Sequence, residues 1–507
     1  MTRFERRGSI VERSFTLLSL RLRSTTAILP AFLVALAVYV ASLQGDVAGW
    51  DTADLQTVPY ILGIPYPTGF PGYVLLGWVW IHALPLGSVA WRLNLLGAVA
   101  SAGTAAALAA LLLELGASVP IAFATAAAYA LAGIPWSHAT YVDVHPIAFC
   151  AIAWAAVFAL RSGRSGAWRA GAACIAAGTT ALACDNTTVL MLPGLALMVF
   201  ARRPPLRLAA VALGLALAAI AATYAYLPLR SAAVTAARSD PTLSLGVPPG
   251  RPYWDDGHPA TWSGFRRVVT GSDFQPQAAL AHIGGPRALG AFSTTFVPGA
   301  VRELGWPFAA CAVVGWVLLA GRMPRVALGL VLLGSLPVLF AGAYVVESVP
   351  SRYYLPGYFA IAAAAGYAVA GLDAVLTGPR RAALLGALAL AWSVQIAVDV
   401  RAGALLFDQP ADRSGSAWIA LIAAVTPPRA IVVARWNAAT TLAYGAYVQH
   451  ALGDRIVLTA GPHEFQASYR KWIAQRPLVV VSAVPLRFPG FRVSDLGDGD
   501  PHLYALR

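Results

Sequence analysis

Eleven apolar runs take up more than half of the stretch between residues 26 and 400 of this 507-residue chain. They lie at 26–44, 91–113, 119–135, 146–160, 168–184, 188–200, 206–229, 305–320, 326–345, 353–373 and 382–400. A helix needs roughly 20 residues to cross a bilayer, or about 17 at the short end, so 146–160 and 188–200 are short. Hydrophobic residues make up 58% of the chain and charged ones only 12%, with a mean hydropathy of +0.66. That is more apolar surface than a soluble core can hide. The expected fold class is an all-α polytopic membrane protein of about eleven transmembrane helices.

Charge sets the orientation. The net charge of +13 comes almost wholly from arginine, Lys471 being the single lysine. The arginines sit in clusters between apolar runs, where they orient helices, so no nucleic-acid partner is expected. Arg3, Arg6, Arg7, Arg13, Arg21 and Arg23 precede the first run with no small-x-small site after it, which reads as a cytoplasmic segment 1–24 and an uncleaved anchor. Arginine richness with almost no lysine suggests a GC-rich bacterial genome, hence a bacterial inner (plasma) membrane. Cys150, Cys174, Cys184 and Cys311 fall in apolar stretches without metal-like spacing, and no disulfide is expected.

The stretch 69–86 is apolar but holds Pro71, His82 and Pro85. If it crossed, Arg161, Arg164, Arg169, Arg202, Arg203 and Arg207 would fall outside, against the positive-inside rule. It is therefore expected to lie at the outer interface. The transmembrane domain is then 25–400, with extracytoplasmic loops at 45–90 and 230–304. The tail, 401–507, alternates β-rich runs at 431–436, 455–460 and 477–483 with helical stretches near 411–425, 438–452 and 464–475. That pattern predicts a small extracytoplasmic α/β domain, accessory in role because it offers no nucleophile with its base.

On this topology Asp51, Asp54, Asp143 and Asp185 share the outer face. Ionisable groups near a bilayer are costly to keep, which makes them candidates for chemistry. Asp51 and Asp54, three apart, share a helix face if helical, although two solvated loop acids is the plain alternative. Asp143 has His138 and His145 nearby, but the spacing fits no helix-face zinc motif, so neither metal nor cofactor is expected; capping the following helix is its alternative role. Arg230, ending a YAYLPLRS run, reads either as a snorkelling side chain or as a bidentate clamp on a lipid-linked phosphate, with Arg266, Arg267 and Arg352 as weaker candidates. Carboxylates gathered in a partly apolar cleft should leave Asp51 or Asp143 with a raised pKa.

From Trp50 to Ala98 the chain resembles a multispan family long known only as a domain of unknown function. That family is similar to the GT-C glycosyltransferases and is related to the transmembrane O-mannosyltransferase acting on plexin-type receptors. Its pattern Gly-Asp-Ser-Gly-Glu-Leu looks like Trp50-Asp51-Thr52-Ala53-Asp54-Leu55 here. Its Leu-Gly-Val-Ala-His-Pro-Pro-Gly-Tyr-Pro looks like Leu62 through Pro71, and its Arg-Val-Asn-Leu-Leu like Arg92 through Leu96. Trp136 through Val144, Leu227 to Ser231 and Trp254 through Thr261 resemble later motifs. The family's glutamates are Asp54 and Asp143 here, and two of its histidines are Tyr66 and Asn186.

The resemblance implies a GT-C fold and protein glycosylation of the O-mannosyltransferase type. A mannose-like sugar would pass from a polyprenyl-phosphate donor to a protein or glycan acceptor outside the cytoplasm. On that reading Asp51 is the general base, with Asp54 and Asp143 assisting. Arg230 and Arg352 bind the donor phosphate; Tyr66, Asn94, His145 and Asn186 line the site. A lipid or solute transporter, or a non-catalytic membrane scaffold, is the alternative. A transporter would usually carry polar groups near the bilayer midplane, which these runs nearly lack.

Overall fold

The computed structural model describes residues 26–199, 206–345, 349–497 and 501–507. The arginine-rich stretch 1–24 lies outside the described residues.

Each expected apolar run is helical. Six helices among the described residues are long and apolar enough to span, or seven if Pro286–Leu304 and Trp306–Arg322, bent by 112°, count as one. Eleven is therefore not reached on length and composition. Thr26–Ala41, Val119–Leu131 and Asn186–Val199 are shorter apolar helices. Val89–Glu114 and Val144–Ser165 are mostly buried, whereas Arg207–Ala237 and Gly378–Val425 are hardly buried at all. The first two form the centre of the bundle and the last two its exposed rim.

Small residues permit this packing, because apolar helices in lipid associate by close approach and not by a hydrophobic drive. A Cβ on Gly72 would meet the Ala183 carbonyl carbon at 2.5 Å, and one on Gly315 would meet the Ala364 oxygen at 1.8 Å. Pro71–Ala83 is a helix of 13 residues. At 1.5 Å per residue it is about 20 Å long, short of a hydrocarbon core of about 30 Å. The segment expected as a long loop, 230–304, is largely helical instead. It takes in the end of Tyr226–Ala237 and the whole of Trp262–Thr270, Pro276–Ala281, Pro286–Ala291 and Val297–Leu304.

The tail builds a five-stranded sheet in the order β2-β1-β3-β5-β4. Its strands are β1 (Ile431–Ala434), β2 (Ile456–Thr459), β3 (Leu478–Ser482), β4 (Val493–Asp495) and β5 (His502–Leu506). β1 pairs in parallel with β2 (Ile431 opposite Ile456) and with β3 (Ile431 opposite Leu478). β5 runs antiparallel to β3 and to β4, an addition the sequence pattern did not predict. Continuous apolar runs suit strands buried on both faces, and β1 and β3 are wholly buried.

The carboxyl ends of β1 and β2 meet the first loop and the 250–258 segment. Trp436 follows β1 by two residues, and Thr459, ending β2, pairs its hydroxyl with Tyr253 Oη at 2.6 Å. Thr441 Oγ1 donates to the Ala48 carbonyl at 2.7 Å, and Ala90 N–H donates to Tyr444 Oη at 3.0 Å. In parallel α/β sheets this edge is where ligands are usually held.

Candidate active site

The first loop begins with the helix Trp50–Ile61, which places Asp51 in its first turn, where the positive end of the helix dipole favours an acid. The helix ends at Leu62 in the left-handed region, φ 49°. Its last carbonyls are taken by Arg230, whose Nε donates to Leu62 O at 2.6 Å and Nη2 to Ile61 O at 3.0 Å. The chain beyond is pressed against the 253 segment: a Cβ on Gly63 would stand 1.8 Å from Tyr253 O. This clamp turns Tyr66, Pro67 and Thr68 back toward Asp51.

Asp143 and Asp185 are helix caps. Asp143 Oδ1 accepts from His145 N–H at 3.0 Å and again from His145 Nδ1–H at 2.8 Å. Asp185 accepts from Thr187 N–H at 2.9 Å and from its hydroxyl at 2.6 Å. Arg352, 9% exposed, lies in the turn Pro350–Tyr354 that leads into the helix Leu355–Val375. Its neighbour Ser351 is held through Oγ, 3.0 Å from His138 Nε2, and His138 Nδ1 is 2.8 Å from Tyr141 Oη. Burial lowers the His138 pKa to about 4, so this tether is neutral at neutral pH.

These pieces form one chain of alternating partners. Arg352 Nη2 is 3.6 Å from Asp51 Oδ2, and Arg352 Nη1 is 4.0 Å from Asp143 Oδ2. His145 joins Asp143 at 2.8 Å, and its Nε2 is 3.7 Å from Asp185 Oδ2. The chain borders a cavity of about 560 Å³, a volume in the range of small-molecule sites. Its lining includes the acidic and aromatic residues Asp51, Asp256, Trp50, Tyr66 and Trp436 and the apolar residues Val189, Leu190, Leu280 and Phe340. Trp50 is 63% exposed beside it.

The carboxyls differ in charge. Burial, and next the charge of Asp256, holds Asp54 well above the usual carboxylate range; Asp54 is 0% exposed and its Oδ1 has no hydrogen-bond partner. Burial also opposes ionisation of Asp143, but His145 and Arg352 outweigh it and hold that carboxyl well below its usual range. The expectation that Asp51 or Asp143 would be raised thus fails for Asp143, because it faces two bases. Burial, seconded by Asp273, pushes Asp256 up to about 8. Among the described residues no group of three or more His, Cys, Asp or Glu is placed to hold a metal ion.

Of the residues singled out in the sequence, Asp51, Tyr66, His145, Asn186 and Arg352 line the cavity, together with Asp185. Asn186 Nδ2 donates to Val269 O at 2.8 Å. Tyr66 Oη is buried with no hydrogen-bond partner among the described residues. Asp54 and Asp143 stand behind the wall. Asn94 does not line the cavity; it is wholly buried, accepts from Gln56 and Val142 at 2.9 and 3.0 Å, and donates to Gln44 O at 2.8 Å. Arg230 is likewise outside the cavity lining, its guanidinium capping a helix. Trp436, Asp256 and Trp50 were not anticipated, and Trp436 shows that the tail contributes to the cavity wall.

Residues 51–207 match the family model described as the Protein O-mannosyl-transferase TMEM260 N-terminal domain. The resemblance to the GT-C-type family is borne out. Over 84 residues, 16% of this chain, the sequence is 38% identical to Protein O-mannosyl-transferase TMEM260 of Mus musculus. The match spans only 12% of that protein's length. The fold is like that of ArnT from Cupriavidus metallidurans in the apo state, with a TM-score of 0.52 and 14% identity, covering 94% of this chain and 97% of that one. ArnT bound to undecaprenyl phosphate gives 0.51 at 14% identity, covering 95% and 98%. At such identity the likeness is one of fold alone, and it extends over nearly the whole chain.

Proposed function

We propose that this membrane protein is a glycosyltransferase that moves a sugar, mannose-like, from a polyprenyl-phosphate donor to a hydroxyl of a protein or glycan acceptor. The reaction would take place on the outer face of a bacterial inner membrane, with loops 45–90 and 230–304 and the domain 401–507 on that side. The observation that carries this reading is Arg352 standing between Asp51 and Asp143 at the wall of one cavity whose lining mixes acidic, aromatic and apolar residues.

A general base must be ionised and must reach the substrate. Of the carboxylates that line the cavity, Asp185 is spent on Thr187, Asp273 pairs with Arg267 at 3.7 Å and burial pushes Asp256 up to about 8, so Asp51 is taken as the base. The acceptor oxygen attacks the sugar C1 while its proton passes to Asp51. The bond from C1 to the phosphate oxygen breaks, and its electron pair leaves on the phosphate. Arg352 receives that charge, a role its planar fork of donors fits and one that Arg230, spent on two carbonyls, does not fill. The Tyr66 hydroxyl supplies a further donor. The apolar lining residues take the first isoprene units, as the undecaprenyl phosphate complex of ArnT makes reasonable for this fold.

The test is incubation of purified protein with polyprenyl-phosphate mannose and an assay for released polyprenyl phosphate. Release that requires Asp51 supports the reading. Protein that binds the lipid yet releases none, with any acceptor, contradicts it.

A further inference from the structure

Asp51 is held from outside the membrane domain. Trp436 Nε1–H donates to Asp51 Oδ1 at 2.9 Å, a bond between residues 385 positions apart. The indole is itself fixed. It opens the helix Trp436–Tyr447 immediately beyond β1, the central parallel strand. Its ring stacks on Tyr253 at 6.2 Å and 9°, and meets Tyr66 edge-on at 6.0 Å and 87°. The donor position is therefore set by a buried sheet and two aromatic neighbours. The other oxygen of Asp51 faces Arg352 at 3.6 Å. With one oxygen bonded to a neutral donor and the other beside a cation, the carboxylate is confined to one orientation at the cavity wall.

We propose that Trp436 is a positioning residue for the transfer reaction, its indole N–H orienting Asp51, so that the C-terminal α/β unit completes the active site. This rests on the reading of Asp51 as the base. Titratable or charged groups that face Asp51 include Arg352 on the Pro350–Tyr354 turn, Tyr66 on the first loop and Asp54 on its own helix. A donor to a carboxylate favours its ionised form, so removing the N–H moves the acidic limb of kcat/KM to higher pH. It also frees the side chain to leave the geometry that proton transfer needs.

The experiment uses full-length protein and polyprenyl-phosphate mannose, with turnover measured across pH for Trp436→Phe, Asp51→Asn and the double variant. Trp436→Phe keeps an aromatic ring and removes the donor, and Trp436→His returns one. The expected result is a kcat about tenfold lower for Trp436→Phe with donor KM little changed. Its acidic limb should rise by about one pH unit, and Trp436→His should recover part of the loss. In the Asp51→Asn background Trp436→Phe should cost nothing more, because no base is left for the indole to orient.

Additive losses with an unmoved pH profile, or wild-type turnover in Trp436→Phe while Asp51→Asn is impaired, would overturn the positioning role alone. Normal turnover in Asp51→Asn itself would overturn the base assignment, and this inference with it.

Discussion

Arg352 lies 3.6 Å from Asp51 through one nitrogen of its guanidinium and holds Asp143 at 4.0 Å through another. The cation arrives from a turn some 300 residues along the chain from Asp51 and is kept in place by the Ser351–His138 contact. Such a group can receive a leaving phosphate without moving, because its side chain is already desolvated and aimed.

Arg352→Lys should keep the charge but lose the fork. Donor KM should rise about tenfold or more while the protein stays folded, since a lysine offers no parallel pair of bonds to phosphate. Arg352→Ala is a harsher change. It leaves Asp143 buried without this cation, a loss of roughly 3–5 kcal/mol, so a fall in melting temperature should accompany any loss of activity. An Arg352→Lys enzyme with unchanged donor affinity would speak against phosphate binding here.

Arg230→Ala separates a cap from a clamp. The structure spends this side chain on the Ile61 and Leu62 carbonyls. The variant should lose about 1–3 kcal/mol of stability, and its folded fraction should bind donor as the wild type does. A large rise in donor KM with unchanged melting would restore the role suggested by sequence.

Asp256 gives a pH signature. Its folded pKa, about 8, is above the unfolded value of about 3.9, so its contribution is full below pH 4 and declines as pH rises through 8. Asp54 shifts in the same direction. Asp143, depressed in the fold, acts oppositely and costs stability as pH falls. Asp256→Asn, which mimics the protonated acid, should melt close to the wild type near pH 5 and a few degrees higher near pH 8.5. Thermal melts at the two pH values check this; a difference independent of pH would contradict it.

Hydropathy made the helices legible, because each apolar run has to satisfy its backbone internally once it leaves water. Three strands of the tail were legible for a similar reason, as short apolar β-branched runs. β4 was not: Val493–Asp495 is exposed and gains its strand character only by pairing with β5. Arg92 and Asn94 stood out in a recognisable motif, yet they serve the architecture. Arg92 bonds the Ile81 and Leu84 carbonyls at the end of the Pro71–Ala83 helix, and Asn94 ties Gln44, Gln56 and Val142 together.

Asp51 could be picked out as an acid where acids are costly. Trp436 could not, and Arg352, though named among the arginines, carried no sign of meeting Asp51, since both reach it across hundreds of residues and bring no local spacing signal. The contacts of Arg230 were hidden for a related reason: a guanidinium beside an outer loop looks the same in sequence whether it meets phosphate or, as here, the Ile61 and Leu62 carbonyls.

The central claim is that Asp51 takes the acceptor proton, and Asp51→Asn tests it most directly because asparagine keeps the size and an acceptor oxygen for Trp436 while removing basicity. Polyprenyl-phosphate release under single-turnover conditions, measured beside donor binding, is the decisive quantity. The account predicts a fall of roughly 10²-fold or more in turnover with donor affinity little changed. Turnover within a few-fold of the wild type would contradict it.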